Sequence, residues 1–551
     1  MSQGTRKGGG GTGGGGAGGG GDDGTRDNEL ADVPESGETE EPARVSTRAW
    51  AGRFLGPVLA VAAYYLLALG DLSDAGRGVA AVGVLMAVWW VSEALPLAAT
   101  ALLPIALFPL LGVSDVEAAA APYANDVIFL FMGGFMLALA MQRWGLHRRI
   151  ALRTVMAVGT KPVRVIGGFM IATGFLSMWV SNTATAVVML PIGLSVLGLV
   201  FERVRGDVTV TSDTQVADIA EGDDDSGAAN FATCLMLAIA YAASIGSLAT
   251  LIGTPPNLFM AGFLAESYGI EIGFGQWMLL GLPLAVVFMV LTWLVLTKIV
   301  YPITLKDIPG GRELFRSELQ KLGPMSRGER LVLIIFVCTA LLWISREPLT
   351  GWTWLTDLFP GVAGLSDAGI AILAALALFA IPVDPRHGVF TLDWSSASKL
   401  PWGVLLLFGG GLSLAAAISS SGLDEFIGNS VAALGGVPTL VMVLVVVTAV
   451  VFLTELTSNT ATAATFLPIV AGIAVGLDID VLLLVVPAAL AATCAFMLPV
   501  ATPPNAIVFG SGHVTIPQMV RAGWRLNIIA IVLIPLAMYA LGALVLGAAL
   551  S

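Results

Sequence analysis

Long apolar runs separated by short polar or charged segments recur from about residue 54 to residue 550. Each run approaches the ~20 residues that an α-helix needs to cross a bilayer, and the weak alternating pattern of a membrane β-barrel is missing. The pattern predicts an all-α polytopic membrane protein with eleven crossings, at 54–70, 78–94, 97–113, 126–143, 231–252, 275–298, 331–346, 367–382, 401–419, 480–500 and 526–549.

Two further apolar stretches, 163–202 and 436–476, each contain Ser-Asn-Thr near the middle. Each stretch is long enough for two half-helices that meet at the tripeptide, which predicts two re-entrant hairpins. Two proline pairs, Pro255–Pro256 and Pro503–Pro504, interrupt other apolar runs. Proline lacks an N–H group and crowds the preceding turn, so the sequence also predicts two broken helices.

The two halves of the chain repeat these motifs in the same order. "SNTATAVVMLPI" at 181–192 and "SNTATAATFLPI" at 458–469 align at an offset of 277. "GTPPN" at 253–257 and "ATPPN" at 501–505 align at an offset of 248, so the first half contains 29 extra residues. An acidic stretch between the first hairpin and the fifth span accounts for them. A shared offset over such a distance indicates an internal repeat.

If the N-terminus is cytoplasmic, Lys and Arg in the short loops fall on the cytoplasmic side, and only Arg77 and Arg346 fall on the other. Eleven crossings then place the C-terminus outside, and the five crossings between the hairpins make the halves inverted. The predicted organisation is a tail at 1–47, a first span at 48–76, a first repeat at 77–300 with a cytoplasmic acidic loop at 204–230, a cytoplasmic linker at 301–330 and a second repeat at 331–551.

Composition agrees with this layout, since 56% of residues are hydrophobic, 12% are charged and the mean hydropathy is +0.86. The net charge of −12 argues against a nucleic-acid partner. The Gly-rich, acidic tail holds too few apolar residues to fold and does not resemble a cleaved signal peptide. We therefore expect a disordered tail and a multi-pass protein of the plasma membrane.

The repeated motifs contain oxygen and amide groups at membrane depth. Hydroxyl and amide oxygens suit a hard cation, whereas amides, hydroxyls and a half-helix N-terminus suit an anion. Small polar residues can also simply bridge membrane helices, but two copies followed by T-P-P-N in the same order favour a transporter's binding site. No span or hairpin tip places Lys or Arg near the motifs, so bound cations would neutralise a dianion. Such mutual dependence predicts cation-coupled anion symport.

The doubled T-P-P-N, "SMWVSNTATA" at 177–186 and "FLTELTSNTATA" at 452–463 resemble the divalent anion:sodium symporter family over roughly residues 50–550. This family carries dicarboxylates, citrate and, in some members, sulfate. The resemblance implies at least two sodium sites and no organic cofactor. One site would use Ser177, Ser181, Asn182 and the backbone of Gly253, and the other Thr454, Thr457, Asn459 and the backbone of Ala501. The implied substrate-binding residues are Asn182, Thr183, Asn459, Thr460, Thr254, Pro255, Thr502 and Pro503.

Ala-Thr-Ala follows both tripeptides, which by resemblance favours sodium coupling over anion exchange. We expect a homodimer in the lipid bilayer that imports a C4 dicarboxylate or citrate. A sodium-independent exchanger and a sodium:sulfate symporter remain alternatives. An enzyme would need an activated nucleophile, a metal cluster or paired carboxylates in the spans, and the sequence shows none. Glu455 is expected to lock the second hairpin to a neighbouring helix.

Overall fold

The computed structural model describes residues 46–159, 161–205, 223–305, 307–308, 310–432 and 437–549. Residues 1–45 of the predicted tail and 206–222 of the acidic loop lie outside the described residues. The helices of the first half are α1 (Thr47–Leu66), α2 (Asp74–Ser92), α3 (Leu97–Thr100), α4 (Leu103–Leu110), α5 (Val116–Ala120), α6 (Asp126–Arg143), α7 (Leu146–Val158), α8 (Pro162–Ser177), α9 (Asn182–Arg205), α10 (Asp223–Ser247), α11 (Pro255–Tyr268), α12 (Phe274–Leu294) and α13 (Gly311–Lys321).

The second half contains a short antiparallel pair of strands, β1 (Pro382–Asp384) and β2 (Val389–Phe390). Its helices are α14 (Arg327–Gly351), α15 (Thr353–Leu358), α16 (Asp367–Ala380), α17 (Trp394–Ala397), α18 (Trp402–Ser421), α19 (Leu423–Ala432), α20 (Thr439–Thr454), α21 (Asn459–Gly476), α22 (Val481–Ala492), α23 (Pro503–Gly510), α24 (Ile516–Ala537) and α25 (Ala543–Leu546). The described part of the chain is otherwise helices, turns and short connections.

Ten helical segments within the described residues are long and apolar enough to cross a membrane. Eight of them coincide with predicted spans, and the other two lie in α9 and α21. The remaining three predicted spans correspond to shorter apolar helical segments, at Leu97–Leu110, Asp367–Ala380 and Val481–Ala492. The predicted all-α polytopic fold is confirmed.

Both predicted hairpins consist of two helices that meet at the Ser-Asn-Thr motif. The first pair, α8 and α9, is interrupted only between Ser177 and Asn182, and the second pair, α20 and α21, only between Thr454 and Asn459. The tripeptide asparagine therefore begins the second helix of each pair. This arrangement places it among the unsatisfied backbone N–H groups of a helix start.

Two predicted spans end earlier than the prolines suggested. The span predicted at 231–252 ends as an α-helix at Ser247, and the span predicted at 480–500 ends at Ala492. The predicted ends were too late because the chain leaves the α-helix several residues before each proline pair, and the prolines begin the next helix. In the structure a downstream asparagine donates hydrogen bonds to carbonyl groups between the two helices, as described below.

The acidic loop was predicted to extend to residue 230, but α10 already begins at Asp223. The last residues of the predicted loop therefore belong to the central helix of the first half.

The two halves interlock through their broken helices. In the first half α8 packs against α10, and in the second half α20 packs against α22. The helix after each break crosses to the other half: α11 packs against α21 and α22, and α23 packs against α9 and α10. Nearly every side chain of α10 from Phe231 onward, and of α22, is buried. Both tripeptides and both breaks are therefore parts of one packed core.

A buried ion pair ties α7 to the start of α14. Arg149 Nε lies 2.6 Å from Glu329 Oε1, and Arg149 Nη2 lies 3.1 Å from Glu329 Oε2. The same guanidinium donates to the carbonyl oxygens of Leu322 and Gly323 at 3.2 and 3.0 Å. Because every charged atom has a partner, the pair is tolerated in the interior. Among the side chains described for α19, which follows α18 as α7 follows α6, none forms an ion pair.

Candidate functional site

Three oxygen atoms converge at the tip of the first hairpin. Ser177 Oγ, at the end of α8, lies 2.5 Å from Asn182 Oδ1 and 2.7 Å from the carbonyl oxygen of Ala243 on α10. The single hydroxyl proton can be donated to only one of these acceptors at a time. Such a cluster of neutral oxygens suits a hard monovalent cation.

The second hairpin repeats this cluster with threonine in place of serine. Thr454 Oγ1 lies 2.7 Å from Asn459 Oδ1 and 2.8 Å from the carbonyl oxygen of Ala492. The hydroxyl and the amide are each related to their counterparts in the first hairpin by the offset of the doubled tripeptides. The internal repeat therefore extends to the individual hydroxyl and amide oxygens of the two hairpin tips.

The chain between α10 and α11 (248–254) and the chain between α22 and α23 (493–502) are the two unwound segments. Ser247, which sequence reasoning missed, connects the first cluster to the first of these segments. Asn182 Nδ2 donates to Ser247 Oγ at 3.3 Å. A Cβ atom on Gly253 would lie 2.3 Å from the Ser247 carbonyl oxygen, so the Gly253 backbone packs directly on the end of α10. The structure thus brings Ser177, Asn182 and Gly253 together around Ser247. Ser181 Oγ instead accepts the backbone N–H of Ala184 at 3.3 Å.

The other predicted residues of the second sodium site are placed differently. Thr457 Oγ1 donates to the Leu453 carbonyl oxygen at 3.0 Å and lies 2.6 Å from Thr462 Oγ1, so its side chain bonds within the hairpin. The structure does not bring this hydroxyl to the Thr454–Asn459 cluster. Ala501 is buried at the end of the second unwound segment.

The predicted substrate-binding residues divide into accessible and buried side chains. The accessible or partly accessible members are Asn182, Thr183, Asn459, Thr460, Pro255 and Pro503. Thr254 and Thr502 are buried. Thr254 Oγ1 lies 3.4 Å from Thr493 Oγ1, and Thr502 Oγ1 accepts the Asn505 backbone N–H at 3.3 Å. The two threonine hydroxyls therefore bond to the protein, and the first of them joins the two unwound segments.

Sequence reasoning also missed the asparagine of each T-P-P-N motif. Asn257 Nδ2 donates to the carbonyl oxygens of Thr250, Leu248 and Ser247 at 3.0, 3.4 and 3.5 Å. Asn505 Nδ2 donates to those of Leu498 and Ala495 at 3.1 and 3.2 Å. The signal was present in the sequence, because the asparagine is repeated together with the preceding Thr-Pro-Pro in both copies of the motif.

Glu455 connects the second hairpin to two other elements. Its carboxylate accepts the backbone N–H groups of Phe496, Met497 and Leu498 at 2.7, 2.9 and 3.2 Å. Asn527 on α24 adds a side-chain donor at 2.8 Å. The expected lock to a neighbouring helix is present, and the unwound segment after α22 is held by the same carboxylate.

One guanidinium reaches the second hairpin tip, contrary to the expectation that no cation lies near the motifs. Arg48 Nη2 donates to the carbonyl oxygen of Leu456 at 3.1 Å and also contacts the carbonyl oxygen of Val91. The expectation was wrong because it considered only charges inside spans and tips, whereas Arg48 comes from the first turn of α1. The described residues contain no group of three or more His, Cys, Asp or Glu that could hold a metal ion.

Comparison with known families identifies the family of this chain. A family model described as the sodium:sulfate symporter transmembrane region matches residues 49–547. The chain belongs to the divalent anion:sodium symporter family. This membership confirms the resemblance inferred from the doubled motifs and assigns both tripeptides and both T-P-P-N motifs to the matched region.

Relatives of this symporter are named as transporters. The sodium-dependent dicarboxylate transporter SdcS of Staphylococcus saprophyticus is 45% identical over 498 residues, which cover 90% of this chain and 92% of the relative. SdcS of Staphylococcus aureus strain MRSA252 is 43% identical over 504 residues, covering 91% and 93%. The crystal structure of the Alcanivorax borkumensis YdaH transporter is 16% identical with a TM-score of 0.54, covering 84% of this chain and 99% of that one. The last likeness supports the fold alone.

Proposed function

We propose that this symporter imports a dicarboxylate together with sodium ions by alternating access. The observation that supports this proposal most directly is the repeated cluster of hydroxyl, amide and carbonyl oxygens at Ser177–Asn182 and Thr454–Asn459. The similarity to two proteins named sodium-dependent dicarboxylate transporters adds the coupling ion and the substrate class.

Each oxygen cluster would hold one sodium ion. The proposed ligands are Ser177, Ser181, Asn182 and the backbone of Gly253 at one site, and Thr454, Thr457, Asn459 and the backbone of Ala501 at the other. Neutral oxygens suit Na⁺ because they provide coordination without the charge that would hold a divalent ion tightly. Arg48 binds the backbone carbonyl of Leu456 beside the second tip, and it is not a ligand in this proposal.

The substrate would lie between the two tripeptides. Asn182 and Thr183 on one side and Asn459 and Thr460 on the other are the accessible polar side chains of the tips. Backbone N–H groups at helix starts favour negative charge, and α9 and α21 both begin at these residues. Two facing anion pockets fit a molecule with two carboxylates better than a single compact anion.

We further propose that a domain containing both hairpins moves against a more static scaffold in a homodimer of the plasma membrane, with the N-terminus cytoplasmic and the C-terminus outside. Two sodium ions with one dianion would be carried without net charge. A third sodium would couple uptake to the membrane potential, which is worth about 2.3 kcal/mol per charge at 100 mV.

Sulfate is the second candidate substrate, because the matched family model is described by sodium:sulfate symport. Hydroxyl and amide groups would accept sulfate as well as a carboxylate. The two anions are distinguished by competition, since a dicarboxylate site that spans both tips should bind sulfate more weakly than succinate.

The test is uptake of labelled succinate into proteoliposomes under clamped voltage, first with an inward sodium gradient and then with potassium in its place. We expect uptake to require sodium and to fall at least about 100-fold in Asn182→Ala and in Asn459→Ala, because each loses an amide that serves both ion and substrate. Asn429→Ala, which changes an exposed asparagine of α19, is the control.

Undiminished uptake in potassium, seen only with an anion inside the vesicles, would instead make the protein an exchanger. Inhibition of succinate uptake by equimolar sulfate would move the substrate assignment to sulfate. Wild-type uptake in either asparagine variant would remove the hairpin tips from the site.

A further inference from the structure

We propose that Asn257 and Asn505 are positioning residues that hold the two unwound segments in the shape that binds sodium. This inference rests on the proposed function, and it concerns residues that are neither sodium ligands nor substrate contacts in that proposal. Both asparagines have 0% exposure and occupy equivalent places, two residues into α11 and α23 after the paired prolines.

The two side chains bind equivalent carbonyl groups. Asn257 Nδ2 donates to Ser247 and Thr250, and Asn505 Nδ2 donates to Ala495 and Leu498. These donors and acceptors are related by the offset of the T-P-P-N motifs, and the additional bond from Asn257 to the Leu248 carbonyl has no counterpart from Asn505. The acceptor residues are not themselves repeated in type. The two asparagines therefore preserve a backbone shape while the side chains of the segments differ.

The orientation of each amide is fixed by its surroundings. Carbonyl oxygens face the nitrogen, and exchanging the amide nitrogen and oxygen would bring two acceptors together. As a consequence Asn257 Oδ1 and Asn505 Oδ1 are buried without a donor among the described residues. An unsatisfied buried acceptor is unfavourable. The site tolerates it at both positions, so the donated hydrogen bonds are the property for which the amides are placed.

These hydrogen bonds lead directly to the sodium ligands. Asn257 binds the carbonyl of Ser247, whose hydroxyl accepts from Asn182 and whose backbone packs on Gly253. In the second half, the carbonyl groups bound by Asn505 lie between Ala492, which contacts Thr454, and the proposed ligand Ala501. Releasing either segment would displace a backbone ligand relative to its tripeptide. Sodium affinity should therefore depend on the amide donors.

The experiment compares Asn257→Leu and Asn257→Asp, with the same pair at Asn505, in the purified full-length protein. Sodium binding is measured without substrate, as the rise in thermal unfolding temperature with NaCl at constant ionic strength in choline chloride. We expect both substitutions to raise the half-saturating sodium concentration about tenfold, because two or more hydrogen bonds are lost. The KM for succinate at saturating sodium should change less than about twofold. Asn429→Leu is the matched control.

Asn→Asp separates positioning from direct ligation, since it keeps an oxygen and adds negative charge but removes the donor. Sodium affinity that is retained or tightened in the Asp variants would overturn the positioning role. So would Leu variants that lower the unfolding temperature yet keep wild-type half-saturation. Where Leu prevents folding, Asn257→Gln keeps an amide donor and is expected to bind sodium more tightly than the Asp variant. A wild-type protein with no sodium response would instead refute the proposed function itself.

Discussion

The two halves of the molecule repeat the same oxygen cluster but support it by different means. In the first half, two side-chain hydrogen bonds hold the unwound segment. The indole of Trp277 on α12 donates to the Leu248 carbonyl at 3.1 Å, and the hydroxyl of Thr250, within the segment, donates to the Met178 carbonyl. In the second half, the carboxylate of Glu455 accepts three backbone N–H groups of the unwound segment and is itself bound by Asn527. Met178 and Glu455 occupy equivalent positions in the tripeptide alignment. Both accept hydrogen bonds from the unwound segment, Met178 through its backbone carbonyl and Glu455 through its side chain.

The difference shows which features the repeat preserves. The hydroxyl, the tripeptide amide and the T-P-P-N amide are maintained in both halves, whereas the groups around them have changed. A cluster that binds an ion needs particular atoms at particular distances, but its support needs only that every buried donor and acceptor finds a partner. Different sets of hydrogen bonds can satisfy the buried groups around a cluster, and the two halves use different sets.

The same contrast separates the helices that follow α6 and α18. Gly145 and Gly422, which are equivalent in the tripeptide alignment, both adopt positive φ angles of 68° and 73° and start new helices. Helix α7 is then held by the Arg149–Glu329 pair, whereas the side chains described for α19 form no ion pair. The ion pair therefore anchors α7 to the start of α14, and the described part of α19 has no equivalent of it.

The largest expected effect comes from breaking the ion pair between Arg149 and Glu329. Arg149→Ala should lower the free energy of unfolding by about 4 kcal/mol, because it leaves the Glu329 carboxylate buried without its charged partner. Arg148→Ala, next to it in sequence but paired with Glu318 at the surface, should cost less than about 1 kcal/mol. Thermal unfolding in detergent measures both. Equal losses for the two variants would contradict the assignment of Arg149 as the anchor.

The next effect sharpens the comparison of the unwound segments. Glu455→Ala should destabilise the protein by about 3 kcal/mol, since three backbone N–H groups and the Asn527 amide lose a charged acceptor. Met178→Leu at the equivalent position of the first half should cost less than about 1.5 kcal/mol. The unfolding temperature of both variants, in sodium and in choline, tests this asymmetry. Similar values for the two would mean that Glu455 does not support the second half.

A smaller effect is expected from exchanging the cluster hydroxyls. Thr454→Ser keeps the hydroxyl and should leave the half-saturating sodium concentration within about twofold, whereas Thr454→Ala and Ser177→Ala should each raise it about tenfold. Sodium-dependent succinate uptake gives these values. If Thr454→Ser weakened sodium binding as much as alanine, the methyl group rather than the hydroxyl would matter at this site.

The smallest effect concerns the surface pairs beside the anchor. The hydrogen bond from Lys321 lowers the pKa of Glu318 below its ordinary value of 4.5, and Arg148 acts in the same direction. A carboxyl group whose pKa is lower in the folded state stabilises fully above its ordinary pKa and loses this contribution as the pH falls through the folded value. The difference in unfolding temperature between wild type and Glu318→Gln should thus be constant from about pH 8 to about pH 5.5 and shrink below about pH 4. A difference that grew on acidification would reverse the assigned direction.

Much of the fold was predictable because membrane helices can be recognised in a sequence by their length and hydropathy. Both hairpins and all eleven predicted spans coincide with helical segments, and the family follows from the doubled motifs. The ends of α10 and α22 were misplaced, because the carbonyl groups that follow each helix are bound by Asn257 and Asn505, which lie downstream in the chain. A local rule for proline could not identify a hydrogen bond that depends on the chain folding back.

The amino-acid sequence by itself determined the membrane fold, the internal repeat and the family, because hydrophobic segments of membrane length and repeated motifs can be recognised within short stretches of the chain. Only the tertiary structure decided that Ser247 joins the first cluster, that Arg48 reaches the second tip and that Glu455 holds an unwound backbone. Those contacts connect groups that are 65, 408 and 41 residues apart. Their formation depends on how the two halves interlock, which no single segment of the chain specifies.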